Sequence, residues 1–211
     1  MNLEPLWELR LVTPRLVLRL PADDELDRLF AVAERGIHPP EEMPFEVPWT
    51  DDLQHFRFVE FHRSACATWS PESWTLHLVT FHAGEPIGTQ DIAAESFAEQ
   101  RAVGTASWLG QSFQGQGYGT EQRAAVLELA FRGLGAGAAT SGSLVHNIAS
   151  QRVSEKLGYR QTGTHEIAPR GEPVTHLDYR IEASDWSSPV PVELVGLAPC
   201  LPLFGAFPRT G

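Results

Sequence analysis

The chain has 211 residues, which is enough for one domain with a sizeable hydrophobic core. Its 27 acidic residues outnumber its 16 lysines and arginines, so the formal net charge is −11. A surface this acidic repels phosphate backbones and anionic lipids, so we expect no nucleic-acid or membrane partner. The same charge favours a cationic partner, such as a protonated amine.

Cysteine content and the N-terminal residues predict a reduced, cytoplasmic protein. Cys66 and Cys200 are too far apart in sequence to indicate a disulfide framework or a zinc site. Residues 1–20 carry charges among their apolar side chains, unlike a secretory signal, and no apolar run is long enough to cross a bilayer. Because the histidines lack the spacing of metal ligands, we expect no metal.

One strand and two helices are predicted in the first third of the chain. Residues 16–20 form an apolar run that ends at a proline, which is typical of a strand. Apolar residues at helical spacing, preceded by two aspartates, predict a helix over residues 23–35. Four prolines predict a loop over residues 36–49, and a second helix is expected over residues 50–67.

The following residues predict alternating strands and helices. Strands are expected over residues 74–81, 86–94 and 103–109, which are rich in alternating or β-branched residues. The later elements are a helix over residues 120–132, a strand over 140–145, a short helix over 147–157 and a hairpin of strands over 159–168 and 174–182. This order predicts an α/β fold with helices packed on a mixed sheet.

The C-terminal residues 187–211 interrupt this pattern with five prolines among valine, leucine and phenylalanine. We therefore expect a Pro-rich apolar tail over these residues. Its residues 194–207 are predicted to pack on an apolar groove, either of this chain or of a neighbouring one.

A glycine-rich segment, Gln114-Gly-Gln-Gly-Tyr-Gly-Thr120, lies between a predicted strand and a predicted helix. Glycines allow tight turns that expose backbone N–H groups, and the helix adds its positive N-terminal end, so the segment favours a diphosphate. It is not a P-loop, because no Gly-Lys-Ser/Thr ends it, and its glycine spacing is not that of a dinucleotide-binding loop. Judged by glycine spacing alone, a flexible turn is an equally good interpretation.

Gln114-x-x-Gly117-x-Gly119 resembles the Q/R-x-x-G-x-G/A motif of the GNAT superfamily of N-acetyltransferases. Residues 13–19 resemble the opening strand of its RimJ/RimL-like branch, and residues 108–110 resemble the end of its fourth strand. Residues 147–159 are similar to the family's N-x-x-S…EKLGF segment. The resemblance covers about residues 9–186, so we expect a GNAT domain there and a separate tail over residues 187–211.

The resemblance implies a GNAT-like α/β fold, with a mixed, mostly antiparallel sheet, splayed central strands and flanking helices. Coenzyme A would lie between the splayed strands, with its diphosphate on the glycine-rich loop and its pantetheine arm beside Asn147, which is also a plausible helix N-cap. A β-bulge would aim the Leu109 N–H at the thioester carbonyl. The residues implied to bind the cofactor are Ser107, Trp108, Leu109, Gln114, Gly115, Gln116, Gly117, Tyr118, Gly119, Thr120, Asn147, Ser150 and Ser154.

Catalytic groups are implied for the thiol and amine ends of the reaction. Ser150 is expected to hydrogen-bond the leaving thiolate, and Ser154 is a second choice that is better interpreted as a solvated helix residue. For the general base we take Asp91 as the first candidate. Further candidates are His146, Glu95 and Glu166.

The reaction implied is transfer of an acetyl group from acetyl-CoA to a primary amine by direct attack in a ternary complex. The amine could belong to a protein N-terminus, a lysine or a small molecule, and homodimerisation is implied only as a family habit. Met43, Phe45 and Trp49 would line the acceptor pocket, or simply pack beneath a loop. Two alternatives stay open: a succinyl-CoA donor, which Arg101 or Arg170 could favour, and a catalytically silent module that binds coenzyme A.

Overall fold

The computed structural model describes residues 1–206. In chain order the helices and strands are α1 (Glu4–Glu8), β1 (Arg10–Val12), β2 (Leu16–Arg19), α2 (Asp23–Glu34), α3 (His55–Ala67), β3 (Ser73–His82), β4 (Glu85–Glu95), α4 (Phe97–Gln100), β5 (Ala102–Leu109), α5 (Tyr118–Glu128), β6 (Ala138–Leu144), α6 (Ile148–Lys156), β7 (Arg160–Ile167), β8 (Val174–Glu182) and β9 (Glu193–Val195). The nine strands form one sheet in the order β7-β8-β6-β5-β4-β3-β2-β1-β9.

The centre of the sheet is where the strands separate. Neighbouring strands run antiparallel except β5 and β6, which are parallel and pair only from Ala102–Ala138 to Gly104–Thr140. Beyond those residues β5 continues along β4 and β6 continues along β8, so a gap opens between the two central strands. This confirms the expected mixed, mostly antiparallel sheet with splayed central strands and flanking helices.

Hydrophobic packing covers both faces of the sheet. On one face, the predicted stripe of α2 packs with Phe58 of α3 against Val79 and Phe81 of β3. On the other face, α5 contributes a continuous buried run, Ala124–Leu127, to the main core. Since α5 lies behind the splayed strands, its N-terminal end lies at the mouth of the gap between them.

Two helix boundaries differ from the prediction. The helix expected from residue 50 begins at His55, because Asp51 accepts hydrogen bonds from Arg170 and Asp52 accepts from Gln54 and Arg57 rather than from backbone N–H groups. The helix expected over residues 120–132 begins at Tyr118 and, after Glu128, widens into a π-helical turn over Leu129–Leu134.

The described part of the tail packs against the core of its own chain. Strand β9 pairs antiparallel with β1 at one edge of the sheet. Farther on, Phe204 is fully buried, and the indole N–H groups of Trp69 and Trp74 donate to the carbonyls of Leu203 and Phe204 at 2.8 Å and 3.2 Å. Phe207, the last residue of the predicted packing segment, lies outside the described residues, and the division into a domain and a tail stays a prediction.

Candidate active site

A cavity of about 840 Å³ opens between the splayed strands β5 and β6. It is bounded by the glycine-rich loop, the first turns of α6 and residues 37–46 of the loop after α2. Many residues that the sequence predicts for the site lie on its wall. These are Phe45, Ser107, Trp108, Leu109, Gln114, Gly115, Gly117, Gly119, Thr120, Asn147 and Ser150.

The glycine-rich loop presents amides to this cavity. Gly115 and Gly117 have φ angles of 73° and 85°, a left-handed region that glycine adopts without steric cost. The Gln116 carbonyl accepts a hydrogen bond from Arg15 at 3.0 Å, and Arg15 is held in turn by Glu121 at 2.6 Å. Within residues 1–206, the N–H groups of residues 115–120 donate to no other group. They are therefore available to an anionic ligand.

The end of β5 directs a second set of backbone groups at the gap. The Gly110 N–H donates to the carbonyl of Ile87, a residue of the neighbouring strand β4, at 2.9 Å. Because backbone groups alternate sides along an antiparallel strand, the Leu109 N–H points the opposite way, toward β6. The Leu109 carbonyl already accepts from Gln114 Nε2 at 2.8 Å. The bulge expected here is absent, since the β4–β5 register is continuous from Gly88–Leu109 to Ala93–Gly104.

The N-terminal turn of α6 brings Asn147 and Ser150 to the cavity wall. Asn147 Oδ1 accepts from the Ser150 N–H at 3.1 Å, so this residue is the N-cap of the helix. Its side-chain Nδ2 donates to no group within residues 1–206, which leaves the amide free for a ligand. Ser150 is half-buried and lies beside Asn147 on the wall.

Ser154 has a structural environment instead. Its side chain is fully buried, and its Oγ accepts from Arg123 Nη1 at 3.0 Å. Arg123 also contacts Ser107 Oγ at 3.4 Å and lies on the cavity wall. Burial lowers the pKa of the Arg123 guanidinium from its ordinary value, an effect that the nearby Tyr159 hydroxyl opposes.

The residues predicted for the acceptor side are only partly brought together. Met43 is buried and its carbonyl accepts from His146 Nε2 at 2.9 Å. Trp49 packs against Trp108 with ring centroids 5.8 Å apart. The predicted site residues that do not line the cavity are Met43, Trp49, Asp91, Gln116, Tyr118 and Ser154.

Asp91 lies to one side of this cavity. Its carboxylate is 3.0 Å from His77 Nδ1, and His77 packs against the ring of Phe61 in α3. The side chain is therefore directed beneath α3 and not into the gap between β5 and β6. Its role as a general base stays a prediction.

Charged side chains that the sequence did not single out also line the cavity. Arg152 and Lys156 come from α6, while Glu42 and Glu46 come from the loop after α2. His176 of β8 lies near Glu46. The sequence alone does not distinguish these residues from ordinary surface charges. They come together only because distant segments of the chain meet at the cavity.

The wall of the cavity and the splayed sheet around it define a class of acyl-CoA-dependent acyltransferases. Residues 15–160 match the family described as the acetyltransferase (GNAT) domain. The chain therefore belongs to the GNAT acetyltransferase family, whose members transfer acetyl groups from acetyl-CoA.

Several solved structures share this fold with the chain. A proposed ribosomal-protein-serine acetyltransferase from Vibrio cholerae is 20% identical, with a TM-score of 0.66 over 82% of this chain and 97% of that one. RimL, a ribosomal L7/L12 alpha-N-protein acetyltransferase solved with coenzyme A, is 16% identical, with a TM-score of 0.68 over 81% and 96%. RimJ of Mycobacterium smegmatis, solved with a coenzyme A disulfide, is 17% identical, with a TM-score of 0.68 over 85% and 90%.

These findings confirm the expected family and its enzyme class, an acyl-CoA-dependent N-acetyltransferase with RimJ- and RimL-like structural neighbours. Within residues 1–206, no helix combines the length and the apolar character needed to cross a bilayer.

Proposed function

We propose that this protein transfers an acetyl group from acetyl-CoA to a primary amine by direct attack in a ternary complex. The observation that carries the proposal is the convergence of free backbone N–H groups on one cavity. The amides of residues 115–120 lie at one end, and the Leu109 N–H faces the gap beside them. A diphosphate and a thioester carbonyl are the two acceptors that such donors fit.

Different residues along the gap bind the cofactor and polarise its thioester. The loop amides and the positive end of α5 hold the diphosphate, and Arg152 and Lys156 add cationic charge nearby. Asn147 donates its free amide to the pantetheine arm. The Leu109 N–H stabilises the oxyanion that forms when the amine attacks.

Ser150 acts at the sulfur end of the thioester. A serine hydroxyl is a weak acid, so its role is to hydrogen-bond the leaving thiolate and to pass it the proton that the attacking nitrogen releases. The N-cap bond between Asn147 and the Ser150 N–H fixes the backbone that carries this hydroxyl.

Acetyl-CoA is favoured over succinyl-CoA because the two arginines that the sequence offered for a second carboxylate, Arg101 and Arg170, are engaged elsewhere. Arg101 donates to the Leu134 carbonyl and lies over the ring of Phe97, and Arg170 is paired with Asp51. Neither side chain lines the cavity. The names of RimL and of the Vibrio cholerae structure refer to ribosomal proteins, so protein N-termini are the first acceptors to test.

The proposal is tested by measuring thiol release from acetyl-CoA with a panel of amines, together with calorimetric titration of coenzyme A. We expect acetyl-CoA-dependent release and saturable binding. Gly117→Val should weaken coenzyme A binding at least tenfold, because valine disfavours the left-handed backbone of the loop and its side chain would crowd Arg15. Binding that is indifferent to this substitution, or an absence of transfer with every amine, would contradict the proposal.

Ser150→Ala separates catalysis from binding. We expect kcat to fall about 10- to 100-fold, because the thiolate loses its hydrogen bond, while the affinity for coenzyme A changes little. Ser64→Ala is the matched control, since Ser64 is exposed on α3 and, among residues 1–206, its side chain bonds only to the Phe61 carbonyl. Equal kcat values in the two variants would exclude a role for Ser150 at the sulfur.

A further inference from the structure

We propose that His176 accepts the proton of the acceptor ammonium, that Asp178 positions its imidazole and that Glu46 binds the ammonium beside it. This inference rests on the proposed function and deepens it, because it assigns the general base and the charge of the acceptor.

The position of His176 follows from the register of three strands. On β8 it pairs with Leu144 of β6, at the level where β6 has left β5. Its imidazole extends across β6 over Gly142, where an added Cβ would collide with the ring. The absence of a side chain at Gly142 therefore lets the imidazole reach the wall of the cavity, which both residues line.

Asp178 orients the imidazole. His176 Nδ1 lies 3.1 Å from Asp178 Oδ1, and a carboxylate can only accept, so Nδ1 carries the hydrogen. This assigns the basic lone pair to Nε2. The second oxygen of Asp178 contacts His165 Nδ1 of β7 at 3.3 Å, which fixes the carboxylate from the far side.

Nε2 faces the Glu46 carboxylate at the wall of the cavity. His176 is 95% buried, its exposed fraction being 5%. Its Nε2 has no hydrogen-bond partner within residues 1–206, although Glu46 Oε1 lies 3.0 Å away. When Nε2 carries no proton, both groups are acceptors, and together they suit a donor cation that enters beside them. Because the Glu46 side chain is 66% exposed, it can move aside to admit an ammonium group.

The proton balance of the reaction defines the roles of His176 and Glu46. The acceptor enters as an ammonium ion and must lose one proton to free the lone pair that attacks the thioester carbon. Nε2 takes that proton and later releases it to solvent through the exposed Glu46 side. The nitrogen loses its second proton as the C–S bond breaks, and that proton passes by way of Ser150 to the thiolate.

Two of the other candidate bases, His146 and Asp91, are engaged or lie elsewhere. His146 Nε2 is bonded to the Met43 carbonyl at 2.9 Å, and Asp91 does not line the cavity. The charged and titratable groups that face His176 are Asp178 on its own strand, His165 on β7 and Glu46 on the loop. The same histidines and aspartate also lie close enough to bind a metal, which is a competing explanation of the cluster.

The test compares His176→Asn with His55→Asn, which removes an exposed histidine that also pairs with an aspartate, Asp27, but lies outside the cavity. At pH 7 we expect His176→Asn to lower kcat/KM for the amine about 10²- to 10⁴-fold with unchanged binding of coenzyme A, and His55→Asn to lower it no more than threefold. The loss should shrink as pH rises, because the free amine then forms without a base. Added imidazole should restore part of the rate.

Two further variants separate positioning from binding. Asp178→Asn should lower kcat and alter the pH profile, since an amide can donate to Nδ1 and so favour the wrong tautomer. Glu46→Gln should raise KM for a cationic amine with little change in kcat.

Three outcomes would overturn the inference while leaving the proposed function intact. The first is a His176→Asn enzyme with wild-type pH dependence and rate. The second is a loss in Asp91→Asn at pH 7 that His176→Asn does not share. The third is loss of activity on chelation that zinc restores, which would identify the cluster as a metal site. Failure of coenzyme A to bind the wild-type protein would instead contradict the proposed function.

Discussion

The imidazole of His62 lies in an aromatic pocket beneath α3. Its ring packs against Phe58, Phe61 and His77 with centroids 4.9 Å, 5.5 Å and 5.7 Å away. Burial lowers the pKa of His62 from 6.5 to about 4, an effect that the Asp91 carboxylate opposes and His77 adds to. The folded protein therefore keeps this imidazole neutral at pH values where the unfolded chain would protonate it.

This difference predicts acid sensitivity. Between pH 6.5 and about 4 the unfolded state binds a proton at His62 that the folded state does not, so stability falls as pH falls through this window. The wild type should lose about 3 kcal/mol of unfolding free energy more than His62→Leu between pH 7 and pH 4, as measured by urea unfolding. His55→Gln, at an exposed position of the same helix, should keep the wild-type loss; identical losses in wild type and His62→Leu would contradict the assignment.

Residues of the cavity wall were predictable where the pattern that contains them is local in sequence. Gly117, Asn147 and Ser150 occur in motifs whose spacing is set by one loop or one helical turn. His176 could not be predicted from local patterns. Its position depends on the absence of a side chain at Gly142 and on the Glu46 carboxylate, and both residues are far from it in the chain. Arg123 was not predicted for the same reason, because the sequence pattern of a helix does not distinguish a buried arginine from an exposed one.

The long elements of the fold were predictable, and the short ones at the sheet edge were not. Strands β3, β4 and β5 and helix α2 each repeat an apolar pattern over several residues, which indicates both type and approximate bounds. Strands β1 and β9 are three residues long and cannot show a period. They form because β1 pairs with β2 on one side and with β9 on the other, so their existence depends on tertiary contacts.

The tail elements are expected to contribute directly to stability. Phe204 is fully buried and meets Trp74 edge-on with ring centroids 4.8 Å apart and Trp69 at 5.3 Å. Phe204→Ala should lower the unfolding free energy by about 3–5 kcal/mol, because it leaves a cavity lined by both indoles. Urea unfolding followed by tryptophan fluorescence measures the change.

The control for this substitution lies on β9. Val195 is 40% exposed, so Val195→Ala should change stability by no more than about 0.5 kcal/mol. If Phe204→Ala cost as little as Val195→Ala, the tail would not be part of the folded core in solution.

At the scale of the whole molecule, the charges of the cavity suit both substrates. Arg152 and Lys156 of α6 line it together with Glu42 and Glu46 of the loop after α2, within a chain of net charge −11. The cations favour a polyanionic cofactor, and the carboxylates favour an ammonium. The overall field attracts a cationic acceptor and is weakened by salt.

Salt should therefore reduce the rate at which a cationic acceptor is captured. With acetyl-CoA saturating, raising ionic strength from about 0.01 M to about 0.5 M should lower kcat/KM for a peptide rich in lysine severalfold, because the Debye length shrinks from about 30 Å to a few ångströms. Steady-state assays with a matched peptide rich in glutamate provide the control, for which the rate should rise or stay constant. A rate for the lysine peptide that does not change with salt would contradict electrostatic capture.

The late position of the tail has a consequence for synthesis on the ribosome. The Trp74 indole N–H donates to a backbone carbonyl that lies 130 residues further along the chain. A nascent chain that has emerged only as far as β8 therefore still exposes two tryptophans and the flank of β1, and domains fold as units once their parts are present. Translation products truncated before β9 should accordingly be held by chaperones or degraded, even though every residue around the cavity has already been made.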